Sequence, residues 1–96
     1  MVVDVKLKDK YHNNNSKKKM HGGFVLLNCD LGAEEYIVEE LKQMPNVKNA
    51  HLTFGAYDVI VEINTKDQQT FDKAVAGIRK LSRVESTMTL SVINSE

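Results

Sequence analysis

The chain has 96 residues, no formal net charge and 42% hydrophobic residues, which suits one small domain with a modest core. The single cysteine, Cys29, excludes an intrachain disulfide framework, and no apolar run approaches the roughly 18 residues that a membrane-spanning helix needs. The N-terminus also lacks the pattern of a cleavable signal, so we expect a cytoplasmic protein with no membrane role.

The charge is divided unevenly between an N-terminal arm and the rest of the chain. Residues 1–23 carry six lysines against two aspartates, a net charge of +4, whereas residues 24–96 carry seven Lys or Arg against eleven acids, a net charge of −4. An acidic folded part gains little from neutralising phosphates, so we expect no direct DNA binding. The polar composition predicts a flexible basic arm, although the alternation at Val3, Val5 and Leu7 also allows an edge strand.

The first predicted elements are a strand and a helix. Residues 24–30 form a near-continuous apolar run of strand length, as in a strand buried on both faces. Residues 33–44 follow with the spacing of an amphipathic helix, and Pro45 ends it. The apolar stripe of this helix comprises Ala33, Tyr36, Ile37, Leu41 and Met44.

The second half of the chain repeats this order after a hairpin. Residues 47–54 and 57–64 are predicted strands joined at Gly55-Ala56, and a helix runs from an N-cap at Thr65 or Asp67 to about Leu81. The last predicted strand, residues 84–93, has two alternating sets of side chains. One set contains Val84, Met88, Leu90 and Val92, and the other contains Glu85, Thr87, Thr89, Ser91 and Ile93.

This order predicts a ferredoxin-like α+β domain over residues 24–96. A βαββαβ chain gives a four-stranded antiparallel sheet with both helices on one face. No third helix is available for the other face, and a second subunit is the simplest cover, as in a dimeric α+β barrel. The sequence therefore predicts a dimer formed through the sheet.

Catalytic chemistry has little support in the residues. His12 and His21 lie in the arm and His51 in a predicted strand, and none has a neighbour that would make a nucleophile and base pair. Cys29 is expected to be a packed thiol. We predict no catalytic residue, no metal site and no cofactor, and hence a protein that is not an enzyme.

Two segments are candidates for binding a small polar ligand. In the turn over residues 53–58, Gly55 permits close approach and Asp58 is a partner for an ammonium group. From composition alone, an ordinary hairpin with Asp58 as a turn-capping acid is the slightly better explanation. Hydroxyl side chains recur at Thr87 and Thr89, where they either contact a ligand carboxylate or serve as ordinary strand residues.

Residues 25–30, 39–47, 55–59 and 84–89 together resemble the effector-binding domain of Lrp/AsnC transcription regulators. The resemblance covers about residues 24–93, and its most specific part is the G-x-Y-D turn followed, after a helix, by V-x-x-T-x-T. In that family this RAM domain is ferredoxin-like, dimerises through its sheets, forms rings of dimers and binds amino acids near the glycine-aspartate turn.

The resemblance implies a site made of Gly55, Tyr57, Asp58, Thr87 and Thr89. It also implies an amino acid as ligand, self-assembly, and co-assembly with full-length Lrp/AsnC regulators. Because residues 1–23 cannot supply the family's helix-turn-helix, a stand-alone form is expected. The rival hypotheses are a dimeric α+β barrel enzyme acting on a small molecule and a purely structural oligomer.

Overall fold

The structure, a computed structural model, describes residues 2–8 and 20–95. Along the chain it contains five strands and two helices, as follows. They are β1 (Val2–Lys8), β2 (His21–Cys29), α1 (Glu34–Lys42), β3 (Val47–Leu52), β4 (Val59–Thr65), α2 (Gln68–Arg79) and β5 (Val84–Ser95). None of the helices in this described part is long and apolar enough to cross a membrane.

The predicted βαββαβ order is confirmed, and the sheet has one strand more than predicted. Its order is β1-β5-β2-β4-β3, with antiparallel pairing throughout the four strands of the ferredoxin-like unit. The added edge strand β1 pairs in parallel with β5, which is the alternative that the Val3, Val5 and Leu7 alternation allowed. The flexible arm was predicted over residues 1–23, but residues 21–23 form the first part of β2, and residues 9–19 lie outside the described residues.

Both helices lie on one face of the sheet, and the core is the layer between them and the strands. Alternate residues of β2 and β4 face this layer because successive side chains of a strand point to opposite faces. The residues of the core with no exposed surface are Val25, Leu27, Ala33, Ile37, Leu41, Val59, Val61, Ile63 and Ile78. Tyr36 was wrongly predicted in the buried stripe of α1, since half of its surface is exposed and Val38 is buried instead.

The two helices end with the same backbone turn. Asn46 after α1 and Arg83 after α2 both adopt positive φ, 74° and 75°. In each case the next residue donates its N–H to a carbonyl three positions earlier, Val47 to Met44 and Val84 to Leu81, both at 3.3 Å. The left-handed residue reverses the chain so that a strand can return along the sheet. The two halves of the domain are thus built alike.

The connection between β3 and β4 is longer than the predicted two-residue turn. β3 ends at Leu52 and β4 begins at Val59, so residues 53–58 form a loop. Its neck is closed by Thr53, whose N–H donates to the Asp58 carbonyl at 2.9 Å and whose hydroxyl donates to the Tyr57 carbonyl at 2.8 Å. These bonds take the place of the strand pairing that the predicted hairpin would have next to its turn.

A β-bulge in β5 changes which of its residues face the helices. Cys29 pairs with Val84 and Asn28 with Ser86, which leaves Glu85 as an extra residue. Val84 therefore packs against the core on the helix side, whereas Met88 lies on the opposite face. The prediction that these two residues share one face of the strand is wrong. Thr89 lies opposite Val25 and also faces the helices.

The packing at Gly23 yields a test of the fold. A Cβ at this buried position would lie 2.8 Å from Phe71 Cζ and would also overlap the Leu90 carbonyl oxygen, which belongs to the backbone. We expect Gly23→Ala to lower the free energy of unfolding by about 1–3 kcal/mol, the usual cost of overpacking, measured by urea denaturation.

Gly22→Ala is the matched control for Gly23→Ala. A Cβ at Gly22 would meet its nearest atoms, the Ile63 carbonyl oxygen and Asn64 Oδ1, at 3.6 and 3.7 Å, which is ordinary contact. We expect Gly22→Ala to leave stability within about 0.5 kcal/mol of the wild type. Equal effects of the two substitutions would contradict the close packing of β2 beneath α2.

Candidate ligand site

A cleft of about 510 Å³ lies between the start of α1 and the loop that joins β3 to β4. We call it the turn cleft, and its lining residues are Gly32, Glu34, Glu35, Leu52, Thr53, Phe54 and Asp58. Two properties of this lining stand out, namely three carboxylates and a pair of solvent-exposed apolar side chains. Phe54 is fully exposed and half of the surface of Leu52 is exposed.

Asp58 is held in place by the backbone around it. One of its carboxylate oxygens, Oδ2, accepts a hydrogen bond from the Cys29 N–H at 3.0 Å, and its own N–H donates to the Leu27 carbonyl at 2.9 Å. These bonds join the end of β2 to the start of β4. A carboxylate has further acceptor positions, so Asp58 can bind a cationic ligand while it keeps this structural bond.

Further acids surround Asp58 and make this end of the molecule electronegative. Burial raises the pKa of the Cys29 thiol, and the nearby carboxylates Asp58, Glu34, Asp30 and Glu85 raise it further. The thiol is therefore neutral at physiological pH, as expected for a packed cysteine. These acids repel one another, and a cation bound among them would reduce that repulsion.

One basic side chain offsets part of this charge. Arg83 Nε lies 3.5 Å from Asp30 Oδ2, and nearly half of the surface of each side chain is exposed. An ion pair this exposed contributes little to stability. The hydrogen bond with Asp30, then desolvation, then the charges of Asp30 and Asp58 raise the pKa of Glu85.

The predicted site residues lie in three different places in the folded chain. Asp58 lines the turn cleft, and Gly55 lies in the same loop with φ of 124°. Apart from its two chain neighbours, no atom of the described residues lies within 4 Å of a Cβ built on Gly55, so the glycine is required here for its backbone conformation. Close approach of a ligand to Gly55 stays a prediction.

The other three predicted residues are not in the turn cleft. The Tyr57 hydroxyl donates to the Met88 sulfur at 3.7 Å, on the sheet face opposite the helices. Thr87 accepts a hydrogen bond from Arg79 Nε at 3.2 Å, and Thr89 is buried beside α2, with 2% of its surface exposed. Within a single chain, Thr87 and Thr89 therefore lie apart from Asp58.

Sequence reasoning missed most of the lining of the turn cleft. In the sequence, Glu34 and Glu35 resemble ordinary acids of a first helical turn, and Leu52 and Phe54 resemble strand residues. The usable signal was the presence of apolar side chains beside a glycine turn that follows a predicted strand. Which helix end lies against that turn depends on the order of strands in the sheet.

A known family model matches most of the chain. The model of the Lrp/AsnC ligand binding domain matches residues 23–96. The HTH-type transcriptional regulator FL11 of Pyrococcus furiosus is 26% identical over 70 residues, which are 73% of this chain and 46% of FL11. The chain therefore spans about half the length of the curated relatives that it matches.

Solved structures give the same fold. The hypothetical protein PHS023 from Pyrococcus horikoshii has a TM-score of 0.73 and 31% identity, with 79% of this chain and 93% of that protein covered. AsnC from E. coli has a TM-score of 0.74 with 91% of this chain and 61% of AsnC covered. At 15% identity, the likeness to AsnC shows the fold alone.

The crowded acids allow a test by pH. Because the pKa of Glu85 is raised in the folded state, folding favours its protonated form, and the charged form lowers stability at neutral pH. We expect Glu85→Gln to raise the thermal unfolding midpoint at pH 7. This gain should shrink as the pH falls to about 4.5, the ordinary pKa of a glutamate, and below it.

Glu39→Gln is the control, since Glu39 is exposed on α1 and outside the turn cleft. Its midpoint should differ little from that of the wild type at either pH. A Glu85→Gln midpoint that equals or falls below the wild type at pH 7 would show that the acids around Asp58 do not repel one another.

Proposed function

The chain belongs to the Lrp/AsnC ligand binding domain family, and we propose that it is an amino-acid-sensing and assembly module that modulates regulators of this family. The family is regulatory rather than enzymatic. The observation that carries the proposal is the turn cleft, because it lies at the glycine-aspartate turn where the family resemblance places an effector.

The lining of the turn cleft suits an amino acid. A desolvated ammonium group needs a charged hydrogen-bond acceptor, and Asp58, Glu34 and Glu35 supply carboxylates. Leu52 and Phe54 offer apolar surface for a side chain. Because three acids line the turn cleft, we expect amino acids with a basic side chain to bind more tightly than acidic ones.

The turn cleft of one chain supplies only part of such a site. None of its described lining residues is a Lys or Arg that could pair with the ligand's carboxylate. Phe54 and Leu31, exposed over nearly all of their surface at this end of the molecule, are the kind of apolar surface that assembly buries. We infer that a neighbouring subunit completes the site, in line with the rings of dimers that the resemblance implies.

The sheet face opposite the helices supports dimer formation. Cross-strand register places Leu26 between Ile60 and Met88 on this face, and Phe24 beside Leu90. We call it the open face, and these five side chains are all partly exposed in the single chain. An apolar face that neither α1 nor α2 covers favours burial against a second copy, as the resemblance implies.

The first test of this function concerns Asp58. Asp58→Asn removes the charge and keeps an oxygen that can accept from the Cys29 N–H, so the fold is preserved. We expect the amino acid that binds the wild type, identified by calorimetric titration of all twenty, to bind this variant more weakly by about 1.5–3 kcal/mol.

Glu39→Gln serves again as the control for loss of one negative charge, and its affinity should match the wild type. Equal binding by Asp58→Asn would show that Asp58 is only a turn residue. If none of the twenty amino acids binds the wild type, the sensing proposal is wrong.

The second test concerns assembly. Light scattering at micromolar concentration should give at least a dimer for the wild type, and Leu26→Lys should dissociate it because the charge would be buried in the interface. Tyr36→Lys, a comparable change at a half-exposed position of α1, should leave the assembly intact. A wild-type monomer, or a Leu26→Lys dimer, would exclude the open face as the interface.

A further inference from the structure

A second concavity lies on the helix side of the sheet, apart from the turn cleft and the open face. It has a volume of about 240 Å³ and runs along one flank of α2 above β5. We call it the helix groove, and its lining residues are Gln68, Phe71, Asp72, Val75, Ala76, Arg79, Thr89 and Ser91. Helix α2 packs over β4, β5 and β2 through Phe71, Ala74, Val75 and Ile78, and on the helix side of β5 Thr87 and Ser91 remain partly exposed.

Thr89 forms part of the wall of the helix groove and has an unusual hydroxyl. Only 2% of the residue is exposed, and among the described residues its Oγ1 has no hydrogen-bond partner. Buried polar groups in proteins are nearly always paired, since an unpaired one lowers stability. Valine has the same shape and suits the apolar surroundings, namely Val25 on the neighbouring strand and Phe71, which lines the same groove. The hydroxyl therefore lowers stability unless a partner enters the helix groove.

The lining of the helix groove contains one cation, Arg79, and one anion, Asp72, which lie seven residues apart and so at different ends of the groove along α2. The Asp72 carboxylate accepts from Gln68 Nε2 at 2.9 Å. Arg79 donates from Nε to the Thr87 hydroxyl at 3.2 Å, a bond that fixes the guanidinium beside β5. This bond uses one of the five N–H donors of the Arg79 guanidinium, and the donors on its two terminal nitrogens can bind an anion.

Strand geometry separates the Arg79 guanidinium, which is bonded to Thr87, from the Thr89 hydroxyl by a distance that a carboxylate can bridge. Thr87 and Thr89 are alternate residues of β5, so they lie on one face and about 7 Å apart along the strand. A carboxylate between Arg79 and Thr89 spans such a gap with one hydrogen bond on each side. The Thr89 hydroxyl is buried in the single chain, so binding requires it to rotate about χ1 towards the groove that the residue lines.

We propose that the helix groove binds a small monocarboxylate. The Arg79 terminal nitrogens and the Thr89 hydroxyl donate to the carboxylate, and the apolar part of the ligand lies on Val75 and Ala76. This site uses none of the residues of the turn cleft, so it stands or falls independently of the amino-acid site at Asp58.

The test uses pentanoate as the probe and pentanamide as its uncharged counterpart. Both are titrated into the full chain while backbone amide shifts are followed by nuclear magnetic resonance. Pentanoate should shift the amides of Ala76, Arg79, Thr89 and Ser91 in a saturable manner, and pentanamide should not. Absence of saturable shifts, or equal shifts with pentanamide, would overturn the proposal.

Two variants assign the binding to named groups. Arg79→Gln should weaken pentanoate binding at least tenfold, whereas Arg83→Gln, which removes an arginine near the turn cleft, should leave it unchanged. Asp58→Asn should also leave it unchanged, which separates this site from the amino-acid site. Equal affinity in Arg79→Gln and the wild type would contradict the assignment.

Thr89→Val tests whether the Thr89 hydroxyl serves binding rather than stability. Without a probe, the variant should unfold at a higher temperature than the wild type, because it buries a methyl group in place of an unpaired hydroxyl. It should bind pentanoate several-fold more weakly. A lower unfolding temperature would show that the hydroxyl is already satisfied within the fold, and the reason for a ligand at Thr89 would be lost.

Discussion

The packing of both helices on the same face of the sheet is the constraint on which the other features depend. The apolar residues of β2 and β4 that face this side, such as Val25 and Val61, have no exposed surface. Burial of this layer is the main favourable contribution to folding of so small a domain. Because two helices cannot cover five strands on two faces, the same packing leaves one open face and one partly covered strand.

The turn cleft shows how one carboxylate can serve both structure and binding. Asp58 accepts the Cys29 N–H, and this bond ties the loop to the strand that carries the core. The other acids nearby repel it, since Asp58 and Asp30 both raise the pKa of Glu85. The fold therefore concentrates negative charge at one end of the molecule, where a cationic group bound in the cleft would relieve the repulsion.

Much of the fold could be predicted from the sequence because the apolar spacing of each element is regular. Residues 57–64 were predicted as a strand, and in β4 the alternate residues Val59, Val61 and Ile63 have no exposed surface. The errors have local causes. Tyr36 has the right spacing to be buried in α1 but lies at the margin of its stripe, and the hairpin is shortened because Thr53 bonds within the loop.

The sequence by itself determined the order of the elements, the family resemblance and the candidate residues, because periodicity and short motifs are local properties of the chain. Tertiary structure decided which candidates share a site. Glu85 bulges out of β5, which places Val84 and Thr89 on the helix side together, and strand order brings Glu34 beside the loop of Asp58. Proximity of residues far apart in the chain depends on strand register and order, which no local pattern specifies.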